Sequence, residues 1–155
     1  MNKIQDNLNN IIDGEFVSEE KTQSIFGTTM ARASVVQSLF ESEISKDYKI
    51  ENITNLHFFT KLNKSKQKIA KTILIYALEN KKKIDENIKK HTNDKNIKRI
   101  PKTDLSILRM AVAEIFSEID TPIGVIVNES AKLADIFGSD TSKNFINGVL
   151  SSMVR

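Results

Sequence analysis

Two stretches concentrate the side chains that could act on a partner. Residues 61–102 hold 14 Lys/Arg against four Asp/Glu, in runs such as KLNKSKQKIAK and KKKIDENIKK, whereas residues 1–30 hold two Lys against five Asp/Glu. A basic block this dense attracts a polyanion by counterion release, and it equally suits a solvated helix face with a polar loop. Lys outnumbers Arg 19 to 4, so coding bias is a third source of the block. The residues that make and break bonds form no catalytic constellation. There is no cysteine, and His57 and His91 sit in different segments without an acidic cluster at ligand spacing. No glycine-rich phosphate loop or HExxH pattern occurs. Glu114 and Glu118 share a helix face at i, i+4, a spacing that usually leaves both carboxylates in water. The expectation is a protein without catalytic residues, metal or cofactor.

Two positions pose local questions. Arg109 lies between Leu108 and Met110, so its guanidinium either turns outward or must find a carboxylate or carbonyl. Gly148, in NFINGVL, costs about 1 kcal/mol relative to Ala on an exposed helix, so it serves close approach of another backbone, a ligand, or nothing selectable. Asn147 beside it offers both donors and acceptors, useful for fixing a junction or reading a nucleic-acid group.

The elements that position these residues are helical throughout. Glycine and proline number five and two, and apolar spacing of three and four recurs with no clean alternation, which predicts an all-α protein. A 39% apolar and 28% charged composition is that of a globular domain. No apolar run approaches the roughly 20 residues of a membrane span, and no basic-then-apolar leader opens the chain, so a cytoplasmic protein is expected. Residues 1–27 read as an acidic extension with an amphipathic stretch at Ile4, Leu8, Ile11 and Ile12, and 28–155 as the domain. Thr28 or Thr29 caps a first core helix carrying Val35, Val36, Leu39, Phe40 and Ile44. A short helix with Leu56, Phe59 and Leu62 follows. Ile69, Ile73 and Ala77 continue towards Ile84 and Ile88 as two helices or one bent one. Thr103 caps the helix of Leu105, Leu108, Val112, Ile115 and Ile119, expected to be the most deeply buried. Thr121 caps and Pro122 opens the next helix, which Gly138 stops. Asp140, Thr141 or Ser142 caps the last, with Phe145, Ile146, Val149, Leu150 and Met153 inward and Gly148 on or near the polar side.

Four of these segments, ARASVVQSLFESEI, TDLSILRMAVAEI, TPIGVIVNESAKLADIFG and SKNFINGVL, occur in the order and spacing of the NusB family of bacterial transcription antitermination factors. The resemblance spans residues 28–155, and NExxxLAxxFG followed by FxNGVL is its most specific pair. It implies two small helical bundles packed together and no catalysis. It further implies binding of boxA-type RNA from ribosomal RNA leaders, jointly with the small-subunit ribosomal protein NusE, within the RNA polymerase antitermination complex. Homodimers occur among relatives, and this sequence does not decide the oligomeric state.

Carried over residue by residue, the resemblance assigns RNA contact to Arg32, Phe40, Phe137, Gly138, Thr141 and Lys143, and partner contact to Asp104 and Arg109. The arginine-rich opening of the family's first helix reads Thr28, Thr29, Met30 here, leaving Arg32 as the matching arginine, and Phe40 stands where a tyrosine is common. Two readings follow. The first is an antitermination factor acting with NusE, whose basic block at 61–102 supplies phosphate contacts or which leans on its partner. The second is an interaction or scaffold protein that keeps the fold with weakened boxA recognition. As a hypothesis, the acidic extension covers the basic surface, and its deletion would then raise RNA affinity.

Overall fold

The computed structural model describes residues 27–154, and the expected amphipathic stretch at 4–12 lies outside them. Seven α-helices follow in order: α1 Thr28–Ser45, α2 His57–Thr60, α3 Lys64–Glu79, α4 Lys81–Lys90, α5 Lys102–Phe116, α6 Ile123–Phe137 and α7 Ser142–Met153. Short 3-10 turns at Ile50–Asn55 and Ile97–Arg99 precede α2 and α5. No strand occurs among the described residues.

Helix α5 is buried nearly all round, its polar residues Asp104, Ser106, Arg109 and Glu114 included, and it is the central element. Leu105, Ile107, Leu108, Met110, Ala111, Val112 and Ala113 are all buried, and the charged Arg109 and Glu114 between and after them are met by ion pairs instead of water. It packs on α1, α3 and α6, and α1 in turn lies against α3 and α2. The helices α1–α3 thus form one small bundle and α4–α7 the other, with α1 on α5 as the main seam and α6 on α7 closing the second bundle. Neighbours on several sides explain why α1 is buried at every position from Thr29 to Phe40. Its expected stripe ends early: Ile44 is exposed.

Helix ends depart from the sequence reading in an instructive way. Gly27, at φ 70°, occupies the cap of α1, and both threonines lie inside the helix. Thr103 lies inside α5, behind Pro101, and Thr121 lies outside α6, behind Pro122. Thr29 and Thr121 are threonines whose hydroxyls are spent on glutamates (below). Asn80 breaks the long basic segment into α3 and α4, its side chain returning to the Tyr76 carbonyl at 3.1 Å in competition with the helix ladder.

Candidate functional site

The second bundle brings its two signature segments together at the turn between α6 and α7. Gly138 ends α6, as expected, and does so in extended backbone, φ −91° and ψ −171°, without a left-handed turn. Space is what this position requires. A Cβ there would lie 2.7 Å from the Ala134 carbonyl oxygen and closer still to the Ser142 side chain. Ser142 is buried and ties the turn: the Ser139 N–H donates to its Oγ at 2.9 Å, and its own N–H donates to the Ser139 carbonyl at 3.1 Å. Phe137 is fully buried beneath this turn, while Thr141 and Lys143 are exposed, with Lys143 Nζ 3.2 Å from Asp135.

Thr141 also lines a groove of about 430 Å³ with Phe145 of α7, Asp104, Pro101 and Ile100 at the start of α5, and Arg99 and Asp94 from the preceding loop. Arg99 and Asp94 pair at 3.2 Å, and the Asp94 carboxyl is held below its usual range by the Asn96 backbone N–H and by Arg99. The groove therefore joins a residue assigned to RNA, Thr141, with one assigned to the partner, Asp104. Phe145 gives it an apolar wall and Arg99 a cation. Neither was among the residues singled out, and only their position beside Thr141 and Asp104 reveals them.

Asp104 borders the groove but is itself buried, and the other candidate residues lie inside the protein. Arg32 is 4% exposed. Its Nε and Nη2 donate to the two oxygens of Glu114 at 2.8 and 2.6 Å. Thr121 Oγ1 donates to the same carboxylate at 2.9 Å. Thr29 donates to Glu129, which also receives Lys132 Nζ at 3.1 Å. One ionic cluster thus ties α1 to α5 and α6. Arg32 is not presented to an external phosphate, because its charge is consumed where an unpaired ion would be costly. Phe40 is buried in the core, so its ring is not offered to a base. Glu114, expected in water, is fully buried, and only Glu118 remains exposed.

Arg109 is likewise internal. It clasps Asp85 of α4 through Nε and Nη2 at 2.8 and 2.9 Å, and Glu43 of α1 through Nη1 at 2.9 Å. Burial alone would raise the Glu43 carboxyl, but hydrogen bonds from Arg109, Tyr48 and Lys46 outweigh it and hold it at about 2. Burial and the Glu43 carboxylate push the Tyr48 phenol up to about 12, so it stays a donor. Three elements meet on this one guanidinium.

Gly148 is exposed, and a Cβ there would meet nothing within 4 Å. Close approach of another backbone, one of the roles open to it, is absent. His91 Nδ1 lies 2.9 Å from Ser152 Oγ, and the His57 ring meets Phe58 edge-on. Among the described residues no group of three or more His, Asp or Glu is placed to hold a metal, and no helix is long and apolar enough to cross a membrane.

Comparison with known proteins gives this geometry a context. The NusB family profile matches residues 29–155. The transcription antitermination protein NusB of Alkaliphilus oremlandii is 34% identical over 126 residues, covering 81% of this chain and 91% of that protein. Its counterpart from Bacillus licheniformis is 36% identical over 124 residues, covering 79% and 92%. Among solved structures, T. maritima NusB is similar with a TM-score of 0.74 at 27% identity, covering 82% of this chain and 89% of that one. The expected all-helical NusB architecture therefore holds in both sequence and fold. Profile, relatives and structure agree across the helices that build the groove and its turn, and the chain belongs to the NusB family of transcription antitermination proteins.

Proposed function

We propose that the protein binds boxA-type RNA of ribosomal RNA operons together with the ribosomal protein NusE, in the cytoplasm, as part of an RNA polymerase antitermination complex. The observation that carries this reading is the groove in which Thr141 and Asp104 face a common space, walled by Phe145 and Arg99. RNA contact falls to the exposed turn: Gly138 sets its path, Thr141 supplies a hydroxyl, and Lys143 a cation for phosphate. A hydroxyl and an aromatic wall suit an unstacked nucleotide, which is how single-stranded RNA is read. Arg32, Phe40 and Phe137 act from below, holding α1 and the turn in place. Asp104 marks the partner side of the groove, and Arg109 fixes the helix that carries it.

With one lysine on the turn, exposed and paired with Asp135, and no arginine-rich helix opening, RNA affinity depends strongly on NusE. Residues 28–155 constitute the binding domain, with 1–27 an acidic appendage to it. The test is titration of boxA RNA and a scrambled RNA, each with and without NusE. Discrimination between the RNAs supports the reading, and equal binding of both under all conditions rejects it. The internal position of Arg32 and Phe40 favours a second reading, an interaction protein with weakened RNA recognition, which predicts NusE binding without that discrimination.

A further inference from the structure

The basic block does not form a single face. Its α4 and loop lysines line two adjoining hollows, here called the channel, that neighbour the groove described above. Ile100 borders both that groove and a second hollow of about 250 Å³, lined by Glu43, Lys46, Ile97, Lys98, Lys102 and Leu105. Ile97 in turn borders the second hollow and a third of about 400 Å³, lined by Lys81, Lys82, Asp85, Glu86 and Lys89. The segment 97–102 is thus a saddle with the Thr141 groove on one side and the lysine channel on the other.

The carboxylates within this channel are mostly committed. Asp85 is held by Arg109 and Lys81, and Glu43 by Arg109, Lys46 and Tyr48. Lys82, Lys89, Lys98 and Lys102 are exposed and enter no ion pair among the described residues. Lys82 and Lys89 lie two helical turns apart on α4, about 10.5 Å along its axis. The surplus charge is therefore positive and strung along a path, with Ile97 as its half-buried floor. Such a track fits the backbone of an extended polyanion better than a compact anion.

We infer that this channel carries the phosphate backbone of single-stranded RNA flanking the element bound at the Thr141 groove. The inference rests on the proposed RNA binding for the point where the strand enters. Lys82, Lys89 and Lys98 contact phosphates irrespective of base sequence. The affinity they add grows with RNA length and falls with salt.

The test compares a boxA-type RNA of about 12 nucleotides, near the upper range of a single-strand site, with the same RNA carrying ten uridines on either end. Binding is measured across salt for the wild type and for the triple variant Lys82→Gln, Lys89→Gln, Lys98→Gln, whose melting is checked alongside. One of the extensions is expected to raise affinity and steepen the logarithmic salt slope by about two, from three lysines at about 0.7 per phosphate on single strands. In the variant that gain disappears while the unextended RNA binds as before. An extension that adds nothing in the wild type, or as much in the variant, overturns the inference. Loss of uridine-oligomer binding to competition by an oligoglutamate peptide that itself binds the wild type more tightly would assign the channel to an acidic protein segment and also overturn it. Failure of the unextended RNA to outbind its scrambled form would instead reject boxA recognition, leaving the uridine extension as a separate readout of the channel.

Discussion

Replacing Arg109 by methionine separates an internal clamp from a surface contact. Methionine keeps much of the apolar stem and removes the charge, so Asp85 and Glu43 lose three charge-assisted hydrogen bonds of 2.8 to 2.9 Å at once. Uncovering a buried partner of this kind costs about 3–5 kcal/mol. The two carboxylates are 19% and 15% exposed, so some water reaches them and the lower end applies, about 3 kcal/mol. For a domain of this size that lowers the melting temperature by about 10 °C, against about 3 °C or less for an exposed ion pair. The pH dependence gives a second readout. Glu43 is held at about 2 against an ordinary 4.5, so its contribution is complete above 4.5 and disappears as pH falls towards 2. In the variant Glu43 lacks the Arg109 cation, and its protonation costs less stability. The gap between wild type and variant should therefore narrow from pH 7 to pH 3, as measured by thermal melts followed by circular dichroism. A gap of 3 °C or less at pH 7, or one that stays constant down to pH 3, would refute the clamp.

Other outcomes follow from the same geometry. Glu114→Gln should destabilise by several kcal/mol in denaturant titrations, because the buried Arg32 loses its charged partner, whereas Glu118→Gln should change the midpoint little. Gly138→Ala should cost about 1–3 kcal/mol by forcing Cβ against Ser142 and the Ala134 carbonyl, and should weaken boxA binding by moving the turn. Gly148→Ala should stabilise by about 0.5–1 kcal/mol, since the helix gains propensity and nothing stands within 4 Å of the added carbon. Lys143→Gln should reduce the salt slope of RNA binding by about 0.7 with no loss of stability.

How far the sequence reveals this protein depends on how local each feature is. The recurring apolar residues of α5 mark it as central, and the spacing in α7 identifies its inward face. The Gly138 turn is legible from the NExxxLAxxFG and FxNGVL segments, though the reason for its glycine is the Ser142 side chain, four residues on. Long-range ion pairs are where local reading ends. Arg32 meets Glu114 across 82 positions, and Arg109 meets Glu43 across 66, so both arginines read as contact residues although both are internal. The same pairs explain the threonines: Thr29 and Thr121 are typical cap residues by type, yet each serves a glutamate instead. Phe40 and Phe137 are assigned to RNA by the resemblance, and the neighbours of α1 and the turn bury them. The groove is legible only in part, because Phe145 and Arg99 acquire their role by standing beside Thr141 and Asp104.

The most direct test of the shared groove is the coupling between RNA and NusE. Fluorescence anisotropy of labelled boxA RNA, titrated with the protein at saturating and at zero NusE, measures it in one experiment, with NusE alone as the control. The account predicts that NusE tightens specific binding at least tenfold, about 1.4 kcal/mol of coupling, and that Phe145→Ala removes most of that gain. Equal affinity for boxA and scrambled RNA in the presence of bound NusE, or a coupling untouched by Phe145→Ala in a folded variant, would contradict it.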